Sequence, residues 1–182
     1  MSNEEYVEYV EVNLKEHKQV LLEFTLNYMH WIQKNVKKMY YVDMFQEVGT
    51  PLVDYVNDHV ENKSASSEYK YFLVRNTQAN NFIGMGGIRK HTDLICEIVH
   101  MHVRSEYHGE GWGVQLLKFL LDTAKSMGYK KVRLDTLGFM ESANRIYEYM
   151  GFEEIPQYPQ SEVPAKLNRI MKYYELDTRN IL

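Results

Sequence analysis

The sequence predicts an α/β (α+β) fold, with helices flanking a mixed, mostly antiparallel central sheet in a single domain over residues 1–182. Three observations lead to it: helical patterns near the N-terminus, closely spaced β-prone segments in the middle, and a strand, glycine-rich turn, helix and strand at residues 97–136. Short turns join antiparallel strands, whereas a helical crossover joins parallel ones. The composition, 45% hydrophobic and 25% charged over 182 residues, is that of one globular domain.

The N-terminal third is predicted to hold one strand followed by helices. Tyr6 to Val12 alternates aromatic or β-branched residues with Glu, which is typical of a strand exposed on one face. Asn13 is a suitable cap for a helix whose apolar residues keep helical spacing. Gly49 interrupts the pattern, and Thr50-Pro51 is predicted to begin a further helix that runs to Val60.

The middle of the chain is predicted to be a β-meander. Residues 61–68 (ENKSASSE) are small and polar, so we expect a surface loop there. Tyr69 to Arg75 and Phe82 to Lys90 are β-prone and form a predicted hairpin, and Leu94 to Val103 adds a third strand.

The C-terminal part is predicted to be a crossover followed by a closing hairpin. After Gly113 an amphipathic helix runs to Gly128, and the strand Lys130 to Thr136 should lie parallel to the one before the helix. The apolar face of this helix is predicted to comprise Val114, Leu117, Leu120, Leu121, Ala124 and Met127. A helix from Met140 to Met150 and strands at Phe152–Ile155 and Asn168–Leu176 complete the prediction, with a proline-rich loop between the two strands.

The glycine loop, residues 108–113, is the most informative pattern in the chain. Gly109, Gly111 and Gly113 lie between a predicted strand and a predicted helix. The first turn of a helix has unpaired N–H groups and partial positive charge, and glycines let a phosphate approach them closely. The loop therefore predicts a phosphate site.

Two common phosphate motifs do not fit this loop. A nucleoside-triphosphate loop needs Lys and Ser or Thr after its last glycine, where this chain has Val114 and Gln115. A dinucleotide fingerprint needs a third glycine three positions after its second, and an acidic residue after a second strand; neither is present.

A third motif fits better. Val103 followed by His108-Gly109-Glu110-Gly111-Trp112-Gly113 resembles the pyrophosphate loop of the GNAT superfamily of acyl-CoA N-acyltransferases. The stretch from Ala143 to Phe152 (ANRIYEYMGF) resembles the second conserved pattern of that superfamily. His108 departs from the usual Arg or Gln, and Met140 stands where many members have Asn.

The resemblance implies acetyl-CoA as acyl-donor co-substrate, with no metal. It assigns proton donation to Tyr147, although on pattern alone this residue also suits the core, and it gives Glu97 the position of a base, where a hydrogen-bonded strand carboxylate is an equal alternative. The strand before the loop would bind the pantetheine arm and the loop the pyrophosphate. The implied cofactor-binding residues are Met101, His102, Val103, His108, Gly109, Glu110, Gly111, Trp112, Gly113 and Val114.

Other reactive side chains suggest less. Cys96 is interpreted as a small buried strand residue, since no Cys-His motif surrounds it. His100 and His102 share a strand face, but no third ligand is clustered with them, so no metal site is predicted. The aromatic residues Tyr28, Trp31 and Tyr158 lie in segments that border the acceptor site in GNAT proteins.

Charge and composition limit the partners. The net charge of −4 is spread without long runs of one sign, which argues against nucleic-acid binding. With one cysteine, no export signal at the N-terminus and no apolar run long enough for a bilayer, we expect a cytoplasmic protein that does not bind membranes. The expected partner is a small-molecule or peptide amine, and a homodimer stays open.

The function implied by the resemblance is transfer of an acetyl group from acetyl-CoA to a primary amine, directly and in a ternary complex. The alternative is a CoA-binding sensor or regulatory module without catalysis. Tyr147 favours the enzyme, whereas the departures at His108 and Met140 leave the alternative open. The sequence does not identify the amine.

Overall fold

The computed structural model describes residues 6–181. Residues 1–5, part of the N-terminal stretch in which we expect no export signal, lie outside the described residues, as does Leu182. The N-terminal elements are β1 (Val7–Glu11), α1 (Leu14–Tyr40), α2 (Met44–Val48) and α3 (Leu52–Asp58). They are followed by β2 (Tyr69–Asn76), β3 (Asn81–Lys90), β4 (Ile95–Val103), α4 (Trp112–Ser126), β5 (Lys131–Leu137), α5 (Glu141–Tyr149), β6 (Glu153–Ile155) and β7 (Met171–Asp177).

The strands form one seven-stranded sheet in the order β1-β2-β3-β4-β5-β7-β6. Strands β4 and β5 are parallel and every other neighbouring pair is antiparallel, so the predicted crossover and the mixed, mostly antiparallel sheet are confirmed. The predicted hairpin of β2 and β3 is also confirmed; its turn is held by the Asn76 side chain, which accepts hydrogen bonds from the N–H groups of Gln78 and Ala79.

Helices cover both faces of the sheet. Residues of α4 and α5 pack with the strands in one hydrophobic cluster, and α1, α2 and α3 contribute to two further clusters. The predicted cap of α1 is confirmed, because the Asn13 Oδ1 accepts a hydrogen bond from the Lys15 N–H at 3.0 Å. None of the helices within residues 6–181 combines the length and the apolar character needed to cross a bilayer.

Two predicted boundaries in the N-terminal half were wrong. The helix predicted to reach Val60 ends at Asp58 and continues as a π-helical turn, His59–Lys63, where residues 61–63 were predicted to be loop. This wider turn buries His59 and Val60, and the His59 Nε2 lies 2.6 Å from the Tyr71 hydroxyl. Tertiary packing therefore extends the helix into a segment whose polar composition predicts a loop.

The C-terminal half differs from prediction in two places. In α4 the buried face includes Trp112 and Leu116, while Met127 follows the helix and is exposed. Strand β7 begins at Met171 rather than Asn168, because residues 165–170 form a 3₁₀ helix that buries Leu167 and Ile170 against α1 and α2. The predicted closing hairpin is confirmed: β6 and β7 pair in antiparallel fashion, the proline-rich loop connects them, and β7 lies between β5 and β6.

Candidate functional site

The sheet opens where β4 and β5 diverge. The parallel pairing covers only Ile95–Glu97 against Lys131–Arg133. Beyond Glu97, β4 remains paired with β3 on one side, and its other edge has no paired strand within residues 6–181. Met101, His102 and Val103, the residues predicted to bind the pantetheine arm, lie along this open edge. Unpaired strand backbone of this kind can hydrogen-bond the amides of an extended ligand.

The glycine loop, residues 108–113, joins this open strand to α4 through a 3₁₀ turn, Ser105–Tyr107. Gly109 and Gly111 have φ angles of +84° and +86°, which favour glycine. A Cβ atom at either position, or at Gly113, would meet no protein atom within 4 Å, so the space above the loop is open. The N–H groups of Trp112 and Gly113 at the start of α4 donate to no backbone carbonyl among the described residues. The loop therefore has the clearance and the donors that a pyrophosphate requires.

Side chains hold the glycine loop in place. The imidazole of His108 donates a hydrogen bond from Nε2 to the Val103 carbonyl at 2.8 Å, which ties the loop to the end of β4. Trp112 is buried in the core, and its indole N–H donates to the Glu110 carboxylate at 2.9 Å. Of the predicted loop contacts, Trp112 can therefore offer a ligand only its backbone.

Tyr147 lies on α5 with its ring packed against Phe152 and Tyr174. The residue is 7% exposed, and its hydroxyl forms no hydrogen bond within the described residues. Burial, followed by the charge of Asp135, raises the pKa of Tyr147. A neutral phenol with an unused O–H is suited to donating a proton.

A cavity of about 190 Å³ lies beside the open edge, between the sheet and the helices α1 and α2. Its apolar residues include Met29, Ile32, Met44, Phe45, Val48, Leu137, Leu167 and Met171. Its charged residues come from the strands and the proline-rich loop: Arg89, Glu97, Asp135 and Glu162. Sequence analysis predicted only Glu97 of these four.

Glu97 is buried and fully engaged. Its carboxylate forms an ion pair with Arg89 at 2.5 Å, lies 3.2 Å from the His91 Nε2, and accepts a hydrogen bond from the Tyr158 hydroxyl. Although burial alone would raise the pKa of this carboxyl, these partners together lower it. A carboxylate held in this way is a weak proton acceptor.

Asp135 on β5 is the cavity carboxyl group that the sequence analysis missed. It lies two residues beyond the last pairing of β5 with β4, and it forms no ion pair within residues 6–181. Burial and the neighbouring Glu97 carboxyl raise the pKa of Asp135 to about 8. Arg133 and Asp135 are two residues apart on a predicted parallel strand, so both side chains project from the same face of the sheet. This pair of charged residues was the feature of the sequence that could have identified Asp135.

The histidines and the cysteine near the cavity are held in packing and hydrogen-bond contacts with other residues of the protein. Tyr71 links His59 and His100 through its hydroxyl, and desolvation lowers the pKa of both histidines, that of His59 to about 4. His102 packs instead against the ring of Tyr28 at 5.1 Å. In the part of the chain that the structure describes, no group of three His, Cys, Asp or Glu residues could hold a metal ion. Cys96 is buried, as predicted, and burial raises the pKa of its thiol to about 12.

The three aromatic residues predicted to border the acceptor site are placed differently. Tyr28 lines the cavity, and Tyr158 lies behind it as the partner of Glu97. Trp31 packs against Phe139 instead and does not line the cavity.

Comparison with known proteins identifies the fold and the family. The acetyltransferase (GNAT) family profile matches residues 34–152, well over half of the chain. A GNAT-family acetyltransferase from Staphylococcus aureus superposes with a TM-score of 0.67 at 20% identity, covering 94% of this chain and 99% of that one. The spermidine N-acetyltransferase of Vibrio cholerae in complex with CoA and spermine gives a TM-score of 0.62 at 15% identity, covering 97% and 98% of the two chains. At these identities the likeness shows the fold.

Curated relatives match over shorter stretches. The uncharacterized N-acetyltransferase YjgM of Escherichia coli is 34% identical over 76 residues, which are 40% of this chain and 46% of that protein. N-acetyltransferase 8B of Homo sapiens is 33% identical over 61 residues, 34% of this chain and 27% of that protein. The matches thus span less than half the length of these relatives. On the strength of the family profile, with the glycine loop and the second conserved pattern both inside it, the chain belongs to the acetyltransferase (GNAT) family.

Proposed function

We propose that the protein transfers the acetyl group of acetyl-CoA to a primary amine, directly and in a ternary complex. The observation that carries this proposal is the junction at the end of the β4–β5 pairing. The open edge of β4 and a cavity lined by carboxyl groups meet at this junction, and the unused hydroxyl of Tyr147 interacts electrostatically with Asp135 there. The family uses acetyl-CoA, and its relative from Vibrio cholerae was crystallised with CoA.

The glycine loop and the open edge would hold the acyl donor. In this arrangement the backbone N–H groups of residues 109–113 bind the pyrophosphate, because those of His108 and Val114 already donate to the Ser105 and Gly111 carbonyls. The backbone of Met101, His102 and Val103 bonds the amides of the pantetheine arm, which places the thioester near Tyr147. The open space over Gly109, Gly111 and Gly113 and the free amides that begin α4 support this placement.

The protein residues then move two protons. The acceptor arrives as an ammonium ion, and a cavity carboxylate removes one proton so that the nitrogen lone pair can form the C–N bond. As the C–S bond breaks with its electrons on sulfur, Tyr147 donates its phenolic proton to the thiolate and regains the second proton that the nitrogen loses. The products are the amide, CoA thiol and the one proton left on the carboxylate, which passes to water.

Release of CoA thiol tests the proposal. The protein is incubated with acetyl-CoA and, in turn, pentylamine, phenethylamine, spermidine, an aminoglycoside and a peptide with a free N-terminus, and thiol formation is compared with a sample lacking amine. Amine-dependent release is the expected result. If calorimetry shows acetyl-CoA binding but no amine promotes release, the regulatory CoA-binding alternative replaces the enzyme.

A further inference from the structure

The cavity has one apolar wall and one charged wall. Helices α1 and α2 and the turn before β7 provide the apolar wall, with Met29, Ile32, Met44, Phe45, Val48 and Leu167. The charged residues lie on the sheet and in the proline-rich loop: Arg89, Glu97, Asp135 and Glu162. A ligand that fills this cavity therefore has both charged side chains and hydrocarbon within reach.

Three carboxyl groups line the cavity, and two of them are neutralised by protein cations. Glu97 forms an ion pair with Arg89 at 2.5 Å, and Glu162 forms ion pairs with Arg89 at 2.8 Å and Lys63 at 2.7 Å. Asp135 has no cationic partner within 4.0 Å among the described residues, and desolvation leaves the cavity histidines His59 and His100 neutral at pH 7. Among the described residues, Asp135 is therefore the lining carboxyl group left without a cation; its raised pKa favours the neutral acid at pH 7, and a bound ammonium group would favour the carboxylate.

The surroundings of Asp135 suit a proton acceptor. Its carboxyl lies beside that of Glu97, so a proton bound by Asp135 is stabilised by an anionic neighbour. Burial and the charges of Glu97 and Glu162 raise its pKa, while the charge of Arg89 lowers it. The other titratable groups that interact with Asp135 are hydroxyls, those of Tyr28, Tyr55, Tyr147, Tyr158 and Tyr173.

We propose that the acceptor is a small primary amine with a single ammonium group and an apolar body, and that Asp135 binds this ammonium group and takes its proton. The inference rests on the proposed function and names the substrate class and the base of the same site. The body of the amine lies against the apolar wall, and its nitrogen lies between Asp135 and the open edge of β4. Glu97 acts through Asp135 as a positioning residue.

A polyamine or a peptide fits the cavity less well. A second ammonium group farther along the amine would have to move from water to the apolar wall. No carboxylate would pair with it there, so burying its charge would be unfavourable. The volume of about 190 Å³ is also below the roughly 300–1,000 Å³ typical of sites for drug-sized ligands.

The proton transfer is balanced within the site. The N–H bond of the ammonium breaks, its electron pair stays on nitrogen, and an O–H bond forms on Asp135. The resulting carboxylic acid donates its hydrogen bond to the Glu97 carboxylate, which the ion pair with Arg89 keeps ionised. The proton leaves to water after the amide has departed, and this regenerates the Asp135 carboxylate.

A matched pair of amines tests the substrate class. Pentylamine and cadaverine have the same carbon chain and differ by one ammonium group. We expect kcat/KM for pentylamine to exceed that for cadaverine and spermidine by about 10-fold or more.

A variant of the apolar wall sharpens this test. Val48→Asp places a carboxylate on the apolar wall at a half-exposed position and should shift the ratio toward cadaverine by about five-fold. Val53→Asp, an exposed position of α3 that does not line the cavity, is the control and should leave the ratio unchanged.

The pH dependence of kcat tests Asp135. The wild-type kcat should rise with pH as Asp135 ionises in the complex, and Asp135→Asn should lower kcat by about 100-fold or more and flatten this rise. Asp135→Glu should recover part of the rate together with the rise. The Asn amide can still donate to Glu97, so a melting temperature at or above that of the wild type would show that the variant folds; Asp122→Asn on the exposed surface of α4 is the control.

The outcomes distinguish the inferred substrate class and base from the proposed acetyltransferase function. Thiol release with spermidine or the peptide in preference to pentylamine and phenethylamine would overturn the substrate class and leave the acetyltransferase standing. A folded Asp135→Asn variant with full kcat and the wild-type pH profile would overturn the role of Asp135. If no amine promotes thiol release, the proposed function itself fails.

Discussion

The glycine loop and the cavity, the two sites proposed for the substrates, are built in contrasting ways. The loop is built from consecutive residues, 108–113, and offers mainly backbone N–H groups and open space. The cavity is built from side chains between Tyr28 and Met171, brought together by the sheet and the helices on one of its faces. A backbone site depends on glycines at fixed spacing, whereas a side-chain site depends on the whole fold. The difference explains why the first is recognisable in a sequence and the second is not.

The largest effect is expected where the two regions meet, at Tyr147. Tyr147→Phe should lower kcat by about 100- to 10,000-fold, because the phenyl ring keeps the packing but has no proton to donate. Acetyl-CoA affinity and the melting temperature should stay close to the wild-type values. Tyr149→Phe, on the exposed side of the same helix, serves as control. Full turnover in the Tyr147 variant would exclude it as proton donor.

The cavity wall should be more sensitive than the surface to the loss of a charge. Arg89→Ala leaves the buried Glu97 carboxylate without its cation, which should lower the free energy of unfolding by about 3–5 kcal/mol in denaturant titrations. The control, Arg145→Ala, removes an exposed pair with Glu141 and should cost about 1 kcal/mol or less. Equal losses in both variants would show that the buried ion pair does not stabilise the wall.

The glycine loop should respond in affinity rather than in stability. Gly111→Asp adds bulk and negative charge beside the proposed pyrophosphate and should weaken CoA binding by about 100-fold in calorimetry. Gly128→Asp has the same kind of backbone strain, with φ +91° and open space, at the other end of α4. Both variants should therefore lose similar stability, while only the first loses CoA affinity. Unchanged affinity in Gly111→Asp would contradict the assignment of the loop.

The raised pKa of Asp135 predicts a pH-dependent stability. A carboxyl whose pKa is higher in the folded than in the unfolded state binds its proton more tightly when folded, so the protein loses stability as pH rises from about 4 to about 8. Asp135→Asn removes this loss. Thermal melts should therefore show a gain of roughly a few degrees for the variant at pH 8 and little difference at pH 4. An equal shift at both pH values would point to packing instead.

The smallest effect is expected at His108. Because His108 fixes the loop through the Val103 carbonyl and does not itself form the phosphate site, His108→Ala should weaken CoA binding only a few-fold. His30→Ala on the exposed face of α1 is the comparison. A loss as large as that of Gly111→Asp would mean that the imidazole contacts the phosphate directly.

The same contrast describes what sequence reasoning achieved. The fold, the crossover, the Asn13 cap and the β2–β3 hairpin follow from local patterns, and they were predicted. The π-helical turn at His59 and the 3₁₀ helix before β7 were missed, because each exists to bury residues against distant segments.

Asp135 shows the limit most clearly. In the sequence, Asp135 is a single acidic residue between Leu134 and Thr136 in a predicted strand. Its position in the cavity depends on the point at which β5 diverges from β4. The charge balance of the cavity also depends on Glu162, in a loop predicted only as irregular, and on Arg89, in a strand predicted for its β propensity. No local pattern connects these three residues.

Arg89 also connects the proline-rich loop to the sheet. Its guanidinium donates a hydrogen bond to the Gln160 carbonyl at 2.7 Å and pairs with Glu162 at 2.8 Å, while it also pairs with Glu97 in the sheet. Lifting the loop would break the hydrogen bond to Gln160 and the pair with the half-exposed Glu162, while the buried pair of Arg89 with Glu97 would stay intact. Arg89 therefore fastens the loop to the sheet as one wall of the cavity.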